Sequence, residues 1–371
     1  MGGVYAWSLF VPMMKTQLGF STAQTQLMIG MTLAVFALSM LITGKLEKKY
    51  GSRTLGLLSG FFMFSGYLLA GFSGGKFWPM CLSISIFAGI ATGCGYVAGL
   101  IVPAKNYPNH RGLVVGISAA GFGGGAIILT YLVKYLISIQ PDIGVLELFK
   151  FVGLLYGFIY AISFYFLQYD GSGKSTENLS LFKSSISFAN PKFLILFFTM
   201  FSGAFAGLLV LSNLKPMVLS FGFSESVATF AISLYAIGNM LGRVFWGYTA
   251  DKIGAIRSTI SAFLVLLFFV LMLNMLPHTE IYIALTLVGI GLGYSSLFVL
   301  LPMLTTKVFG LDQFGTVYPY IFIAYGLAAI TGPYLAGYIF DLNKSYSIAV
   351  LLSSALGASA LAVFWFNRNR I

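Results

Sequence analysis

Hydrophobic residues in this chain run in long blocks, separated by short polar intervals. Apolar stretches cover residues 23–44, 54–73, 78–103, 111–138 and 147–168, then resume at 193–219, 225–249, 258–276, 280–304, 315–340 and 345–366. A helix needs roughly 20 mostly apolar residues to cross a bilayer, so the pattern predicts eleven full spans. Residues 1–14, with GGVYAWSLFVPM at their core, read as the second half of a further span. That piece is too short to cross alone. Either the true start lies upstream or this copy is truncated, and a missing half-helix is the preferred reading, because an odd span count would leave the two halves in unmatched orientations. The hydrophilic interval 169–192 (YDGSGKSTENLSLFKSSISFANPK) reads as a linker rich in Ser, Gly and Asn. The expected architecture is therefore an all-α membrane protein with two pseudo-symmetric six-helix halves. They span residues 1–168, with helix 1 partial, and residues 193–371.

Composition agrees with that pattern. Of 371 residues, 58% are hydrophobic and 8% charged, against roughly 25% charged in an ordinary soluble domain. A soluble fold of this size would lack the polar groups to cover itself. The 43 glycines also fit, since Gly lets membrane helices approach closely. A net charge of +11 would point to nucleic acid in a soluble protein. Here its distribution gives another reading. If the linker is cytoplasmic, that side carries Lys45, Lys48, Lys49, Arg53, Lys105, Arg111, Lys174, Lys183, Lys192, Lys252, Arg257, Lys307, Arg368 and Arg370. The other side carries Lys15, Lys76, Lys134, Lys150, Lys215 and Lys344. The bias places linker and C-terminus in the cytoplasm, so a multi-pass protein of the cell membrane is expected, with the bilayer and no nucleic acid as partner. No cleavable signal peptide is visible, because Met1 opens directly into apolar sequence.

Several motif-like runs carry no chemistry. GSGKS in the linker resembles a phosphate loop, but Gln168 stands where the motif needs Gly and a membrane helix precedes it in place of a strand. The glycine-spaced runs GCGYVAG (93–99) and GFGGGA (121–126) lie inside spans and read as helix-packing surfaces. Cys81 and Cys94 share one apolar segment and read as small buried hydrophobes. His110 and His278 fall in expected loops and read as surface residues, with a proton relay as the rival. No cofactor and no metal site is expected. With no paired carboxylates or ligand cluster at membrane depth, the chain is not expected to be an enzyme.

The halves repeat one another. Gly44 and Gly51 of GKLEKKYGSR (44–53) match Gly247 and Gly254 of GYTADKIGAIR (247–257) at an offset of 203. GCGYVAGLIVP (93–103) is likewise matched by GLGYSSLFVLLP (291–302). Such repeats build a site at the bilayer midplane between two moving halves. The glycine-bracketed charged loop between spans two and three, echoed between eight and nine, resembles the signature of the major facilitator superfamily. GYTADKIG fits it well through Asp251 and Lys252, whereas the first copy carries Lys48 where an Asp is usual. Within that superfamily, GVYAWSLF (3–10), YPNHRGLVVGISAAGFGGGA (107–126), NMLGRVFWGYTADKIG (239–254) and YGLAAITGP (325–333) resemble the oxalate/formate antiporters and monocarboxylate carriers. The resemblance covers essentially the whole chain and implies the major-facilitator fold. It also implies a cytoplasmic gate of charge contacts at Gly44, Gly51, Arg53, Gly247, Asp251, Lys252, Gly254 and Arg257, with the first-half contacts weakened or rearranged by Lys48.

Arg243 is the one formal charge that the pattern places well inside a span. An Arg there is costly and usually faces a cavity or a partner, and its planar fork matches a carboxylate. It stands eight residues before Asp251, about 12 Å at ~1.5 Å per residue, so snorkelling to the interface or a structural role beside the gate is the rival reading. In the resembled carriers the Arg of this pattern binds the substrate carboxylate. Two departures bear on the substrate. Asn239 stands where some monocarboxylate carriers have a titrating Asp, and Tyr325 stands where oxalate carriers place a second cation. One cation suits a monocarboxylate better than a dianion, whose second carboxylate would be desolvated without a partner. Tyr5, Trp7, Tyr96, Tyr294 and Tyr325 belong to spans that line the central cavity in the superfamily, although packing and interface belts also claim tyrosines. The expected function is secondary transport of small organic anions (formate, lactate or pyruvate type, or oxalate) by alternating access. Antiport against a counter-anion and proton-linked symport both stay open, and the protein is expected to act as a monomer. The alternatives are another substrate class, sugar or drug, and a non-transporting sensor or inactive paralogue.

Overall fold

The computed structural model describes the chain outside residues 1–2, 4–5, 107–110, 166–188, 276–278 and 369–370; the side chains of Lys45, Lys48, Phe164, Leu311, Asp312, Phe314, Thr316 and most of 100–123 also lie outside it. In hydrocarbon every backbone N–H and C=O must find a partner within the protein, which leaves long helices as the solution for apolar blocks of this length. A 3-10 turn at Trp7–Leu9 leads into α1 (Val11–Leu18), α2 (Thr22–Gly71), α3 (Phe77–Leu82), α4 (Gly89–Asn106), α5 (Arg111–Ile139) and α6 (Val145–Tyr165). A π-helical turn at Ser83–Ala88 joins α3 to α4. Then follow α7 (Pro191–Ser220), α8 (Glu225–Ile253), α9 (Ala255–Met272), α10 (Glu280–Ser295), α11 (Leu297–Phe309), α12 (Leu311–Asn343) and α13 (Ser347–Phe366).

Among the described residues, ten helical stretches are long and apolar enough to cross a membrane, and each coincides with a block read from the sequence. The block at 111–138 forms α5, whose described apolar part, Gly124–Ile139, is shorter. Up to residue 188 the interval read as a linker lies outside the described residues, as do GSGKS, His110 and His278.

The structure departs from the sequence reading between spans two and three. A loop was expected at 44–54, yet helical geometry holds on both sides of Gly51, which alone leaves it (φ 80°, ψ 158°), so the two spans written together as α2 meet at a one-residue kink. Gly254 repeats that conformation between α8 and α9 (φ 84°, ψ 153°). A residue with a Cβ is strained at such a φ, so the repeated glycine marks a repeated bend.

Small residues bring α2 and α12 together as antiparallel neighbours. A Cβ at Gly30 would run into the carbonyl oxygen of Ala329 and stand 2.8 Å from the Cα of Ile330. One at Gly337 would lie 3.0 Å from the backbone of Thr22 and Ala23, and one at Gly326 would lie 2.9 Å from the Cβ of Ala37. Backbone contact of this kind replaces the hydrophobic driving force that is missing between helices in lipid. Gly93 behaves similarly, its missing Cβ making room for the Ser39 hydroxyl, whereas Gly99, Gly121 and Gly124 face open space. The glycine runs are thus packing surfaces only in part.

Replacing Gly30 by Ala is expected to cost about 1–3 kcal/mol through overpacking. Thermal unfolding of detergent-solubilised protein should show a midpoint lowered by several degrees, with Gly121→Ala unchanged. Equal midpoints for the two variants would refute the packing role.

Candidate functional site

On α8, Asn239 and Arg243 sit one helical turn apart and share a face. Both are buried, Asn239 at 1% and Arg243 at 8% exposure. Ten residues separate Arg243 from the Ile253 end of the helix, about 15 Å at ~1.5 Å per residue. The side chain does not snorkel to the surface. Its guanidinium stands over the ring of Phe298 with 5.1 Å to the centroid, and an aromatic face compensates a cation best where water is excluded.

Phe298 belongs to an aromatic wall. Its ring meets Tyr294 at 5.5 Å and Tyr325 at 5.6 Å, both edge-on. Tyr325 stacks on Phe322 at 4.8 Å, and its hydroxyl lies 3.4 Å from that of Tyr294. From α2, Phe36 meets both Phe322 at 5.6 Å and Tyr325 at 6.3 Å. Tyr96, on α4, packs edge-on against Phe36 at 5.6 Å. Tyr318 lies within electrostatic reach of both Tyr96 and Arg243. Helices from both ends of the chain therefore meet around one cation. Of the residues singled out in the sequence, Arg243, Asn239, Tyr96, Tyr294 and Tyr325 come together here. Phe36, Phe298, Tyr318 and Phe322 were not singled out. The i, i+4, i+7 spacing of 318, 322 and 325 would have grouped three aromatics on one face of α12, but nothing among 36 phenylalanines marks Phe36 or Phe298.

Trp7 lies elsewhere. It is fully buried, donates its indole N–H to the Thr25 carbonyl at 3.1 Å and stacks on Phe149 at 6.4 Å. Beside it is a cavity of about 10 Å³ whose lining includes Thr32, Thr92, Tyr67 and Tyr156 among apolar residues, room for about one water. Tyr5 lies outside the described residues.

At the end of α2 away from the Gly51 bend, the two sides of the molecule are clamped. Ser21 and Gln24 cap the helix reciprocally, and the next two amides donate across to α12. The N–H of Thr22 reaches Asp341 Oδ1 at 3.2 Å, and that of Ala23 reaches Oδ2 at 3.0 Å. Lys15 adds a bond to the Thr22 hydroxyl at 2.7 Å and lies over the Phe340 ring. Gln26 donates to the Ser212 carbonyl at 3.1 Å. A carboxylate on a helix N-terminus satisfies orphan amides and the macrodipole together.

The gate loops look different. Asp251, Lys252, Arg257 and Arg53 are exposed. Lys252 lies over Tyr248 and Arg53 over Tyr165. Among the described residues no ion pair joins the two loops. Gly51 and Gly254 form the bends described above, while Gly44 and Gly247 lie inside helices. Two further charges are buried. Lys215, near the end of the apolar stretch 193–219 on the side away from the linker, is 5% exposed within α7 and ion-pairs with Glu225. Glu47 is also 5% exposed and accepts from the Ser52 hydroxyl at 2.6 Å, a buried acid that the sequence reading lacked.

A profile of the Major Facilitator Superfamily matches residues 1–333 and 196–370. The chain belongs to that superfamily. Two long helical sets meeting around a buried mid-span residue are consistent with the major-facilitator fold, and the protein is a multi-pass membrane transporter of this class. Among similar proteins, the oxalate:formate antiporter of Oxalobacter formigenes is 26% identical over 373 aligned residues, covering 98% of this chain and 87% of the relative. The uncharacterized MFS-type transporter YhjX of Escherichia coli (strain K12) is 24% identical over 339, covering 89% and 82%. Monocarboxylate transporter 14 of Mus musculus is 31% identical over 147, covering 39% of this chain and 28% of the relative.

Because Asp341 holds two amides across the α2–α12 contact, Asp341→Ala should open that side of this superfamily member. Hydrogen bonds to a charged group contribute about 1.5–3 kcal/mol. With Cys81 and Cys94 replaced by Ser, a cysteine at Ile29, which is 2% exposed, should react several-fold faster with an impermeant maleimide in the Asp341→Ala background. An unchanged rate would rule out the clamp.

Proposed function

We propose that the protein carries small monocarboxylates across the cell membrane by alternating access, with Arg243 as the carboxylate-binding residue. The observation that carries this reading is the burial of Arg243 in the middle of α8, over Phe298, beside an aromatic wall assembled from α2, α4, α11 and α12. A guanidinium there offers paired N–H donors to a planar carboxylate. Ring edges and tyrosine hydroxyls exclude water and offer donors at its margin. The names of two relatives, an oxalate:formate antiporter and a monocarboxylate transporter, support an organic-anion substrate. A single mid-span Arg, with Asn239 and Tyr325 uncharged beside it, favours one carboxylate over two.

In this reading residues 1–168 and 193–371 are the two rocking units and the 169–192 segment tethers them. The Asp341 clamp closes one face, and the bends at Gly51 and Gly254 border the other, which the distribution of Lys and Arg places in the cytoplasm. An anion entering against −100 mV is opposed by about 2.3 kcal/mol per charge. Accumulation therefore needs an exchanged anion or a co-transported proton. Glu47, the buried acid, sits at the Gly51 bend and not beside Arg243, so exchange, or symport of the substrate with its own proton, fits better than a relay through a protein carboxylate.

In proteoliposomes the wild type should take up labelled formate or lactate, and Arg243→Ala should abolish that uptake. Arg243→Lys, which keeps the charge but loses the fork, should lower it at least tenfold. Uptake of a neutral or cationic compound, left intact by Arg243→Ala, would overturn the proposal.

A further inference from the structure

A second cleft lies away from Arg243, at the linker-side end of the second half. It encloses about 520 Å³ between the start of α9, the end of α11 and the end of α13, within the range of small-ligand pockets. Its charged lining is wholly basic: Arg257, Lys307 and Arg368, with no Asp or Glu among the lining residues. Arg368 is held over the Trp365 ring at 4.1 Å. The first turn of α9 opens onto the cleft, and its N-cap, Gly254, supplies no side chain to cap it. Orphan amides and three cations thus converge on a space that has no acidic residue among its described lining residues.

The internal repeat shows what such a position takes. At the matching bend of the first half, 203 residues earlier, Glu47 stands for Ala250 and Ser52 for Ala255. Glu47 folds against the start of the next span, accepts from the Ser52 hydroxyl at 2.6 Å and is 5% exposed. The first half therefore fills its bend with its own carboxylate. The second half has Ala250 there, 4% exposed, and a basic cleft beside it. Asp251 is exposed, and neither it nor Ala250 lines the cleft, whereas Ala255, the counterpart of the Ser52 that binds Glu47, does.

We infer that this cleft binds the phosphate group of an anionic phospholipid, which supplies in trans the negative charge that Glu47 supplies in cis. A phosphate diester matches three cations and a helix N-terminus. The rim decides between a lipid and a soluble phosphate ester. Trp365 is 47%, Ile253 43% and Phe366 83% exposed, an apolar border at the end of a membrane span that suits a glycerol backbone and acyl chains. A bound headgroup would tie the α8–α9 bend to α11 and α13, joining four helices of one half into a rigid unit. Basic clusters at a membrane surface attract anionic lipid in the same way.

The test uses the full chain in zwitterionic detergent, titrated separately with phosphatidylglycerol, phosphatidylcholine and glycerol 3-phosphate. Thermal unfolding and native mass spectrometry report binding, since a ligand of the folded state raises its stability. Phosphatidylglycerol alone should raise the midpoint and stay bound. The double variant Lys307→Gln/Arg368→Gln should weaken its apparent affinity at least tenfold, while Lys134→Gln, a basic residue of α5 away from the cleft, should not. Ala250→Glu should abolish the shift with every cation still present, because the carboxylate then comes from the chain. Should that variant fail to fold, the double variant decides. Equal shifts with phosphatidylcholine, or wild-type affinity in the double variant, would overturn the site. A matching shift with glycerol 3-phosphate would overturn the lipid assignment in favour of a soluble phosphate ester.

Discussion

The contact between α2 and α12 is the constraint on which the rest of the arrangement depends. Lipid offers no hydrophobic drive for two apolar helices to associate, so the contact rests on backbone approach at Gly30, Gly326 and Gly337. That approach lets the amides of Thr22 and Ala23 reach Asp341. It also brings Phe36 against Phe322 and Tyr325, about a helix half-length further in. One helix pair therefore does two jobs. It seals one face of the protein and closes the aromatic wall beside Arg243. A side chain wedged between the two backbones would disturb both together.

The buried charges show how the fold accommodates groups that lipid rejects. Lys215 has an acid across from it, Glu225, whose own side chain reaches water. Glu47 accepts from Ser52 at the bend. Arg243 has an aromatic face beneath it, which lowers the cost of burial. Under the proposed function, a carboxylate would exchange water for the guanidinium fork there, and the surrounding rings would strengthen that interaction by keeping the local dielectric low.

The repeat is conserved in backbone and divergent in charge. Gly51 and Gly254 adopt nearly the same conformation 203 residues apart, because the bend needs a residue without a Cβ. Around them the chemistry differs. The first half carries Glu47, and the second carries Ala250 with a basic cleft alongside. Duplication fixes the path of the chain, while each copy remains at liberty to satisfy its helix start with a different anion.

Apolar blocks determined the spans by themselves, because a stretch of about 20 apolar residues in lipid has one stable backbone solution. The glycine-bracketed repeat, and Arg243 as an unusual residue within a span, were legible for similar local reasons. Other features required the fold. The sequence pattern read 44–54 as a loop, whereas two helices meet there at a single kink, Gly51. Lys215 read as a flanking charge on the side away from the linker, yet it is buried and paired. Asp341 had no visible role, since its partners lie 319 and 318 residues away. Phe36 and Phe298 were two among many phenylalanines until the packing set them beside Tyr325 and Arg243. Local pattern determines which segments become helices, through the cost of unsatisfied backbone in lipid. Which faces of those helices meet depends on contacts between distant residues, and only the tertiary structure decides it.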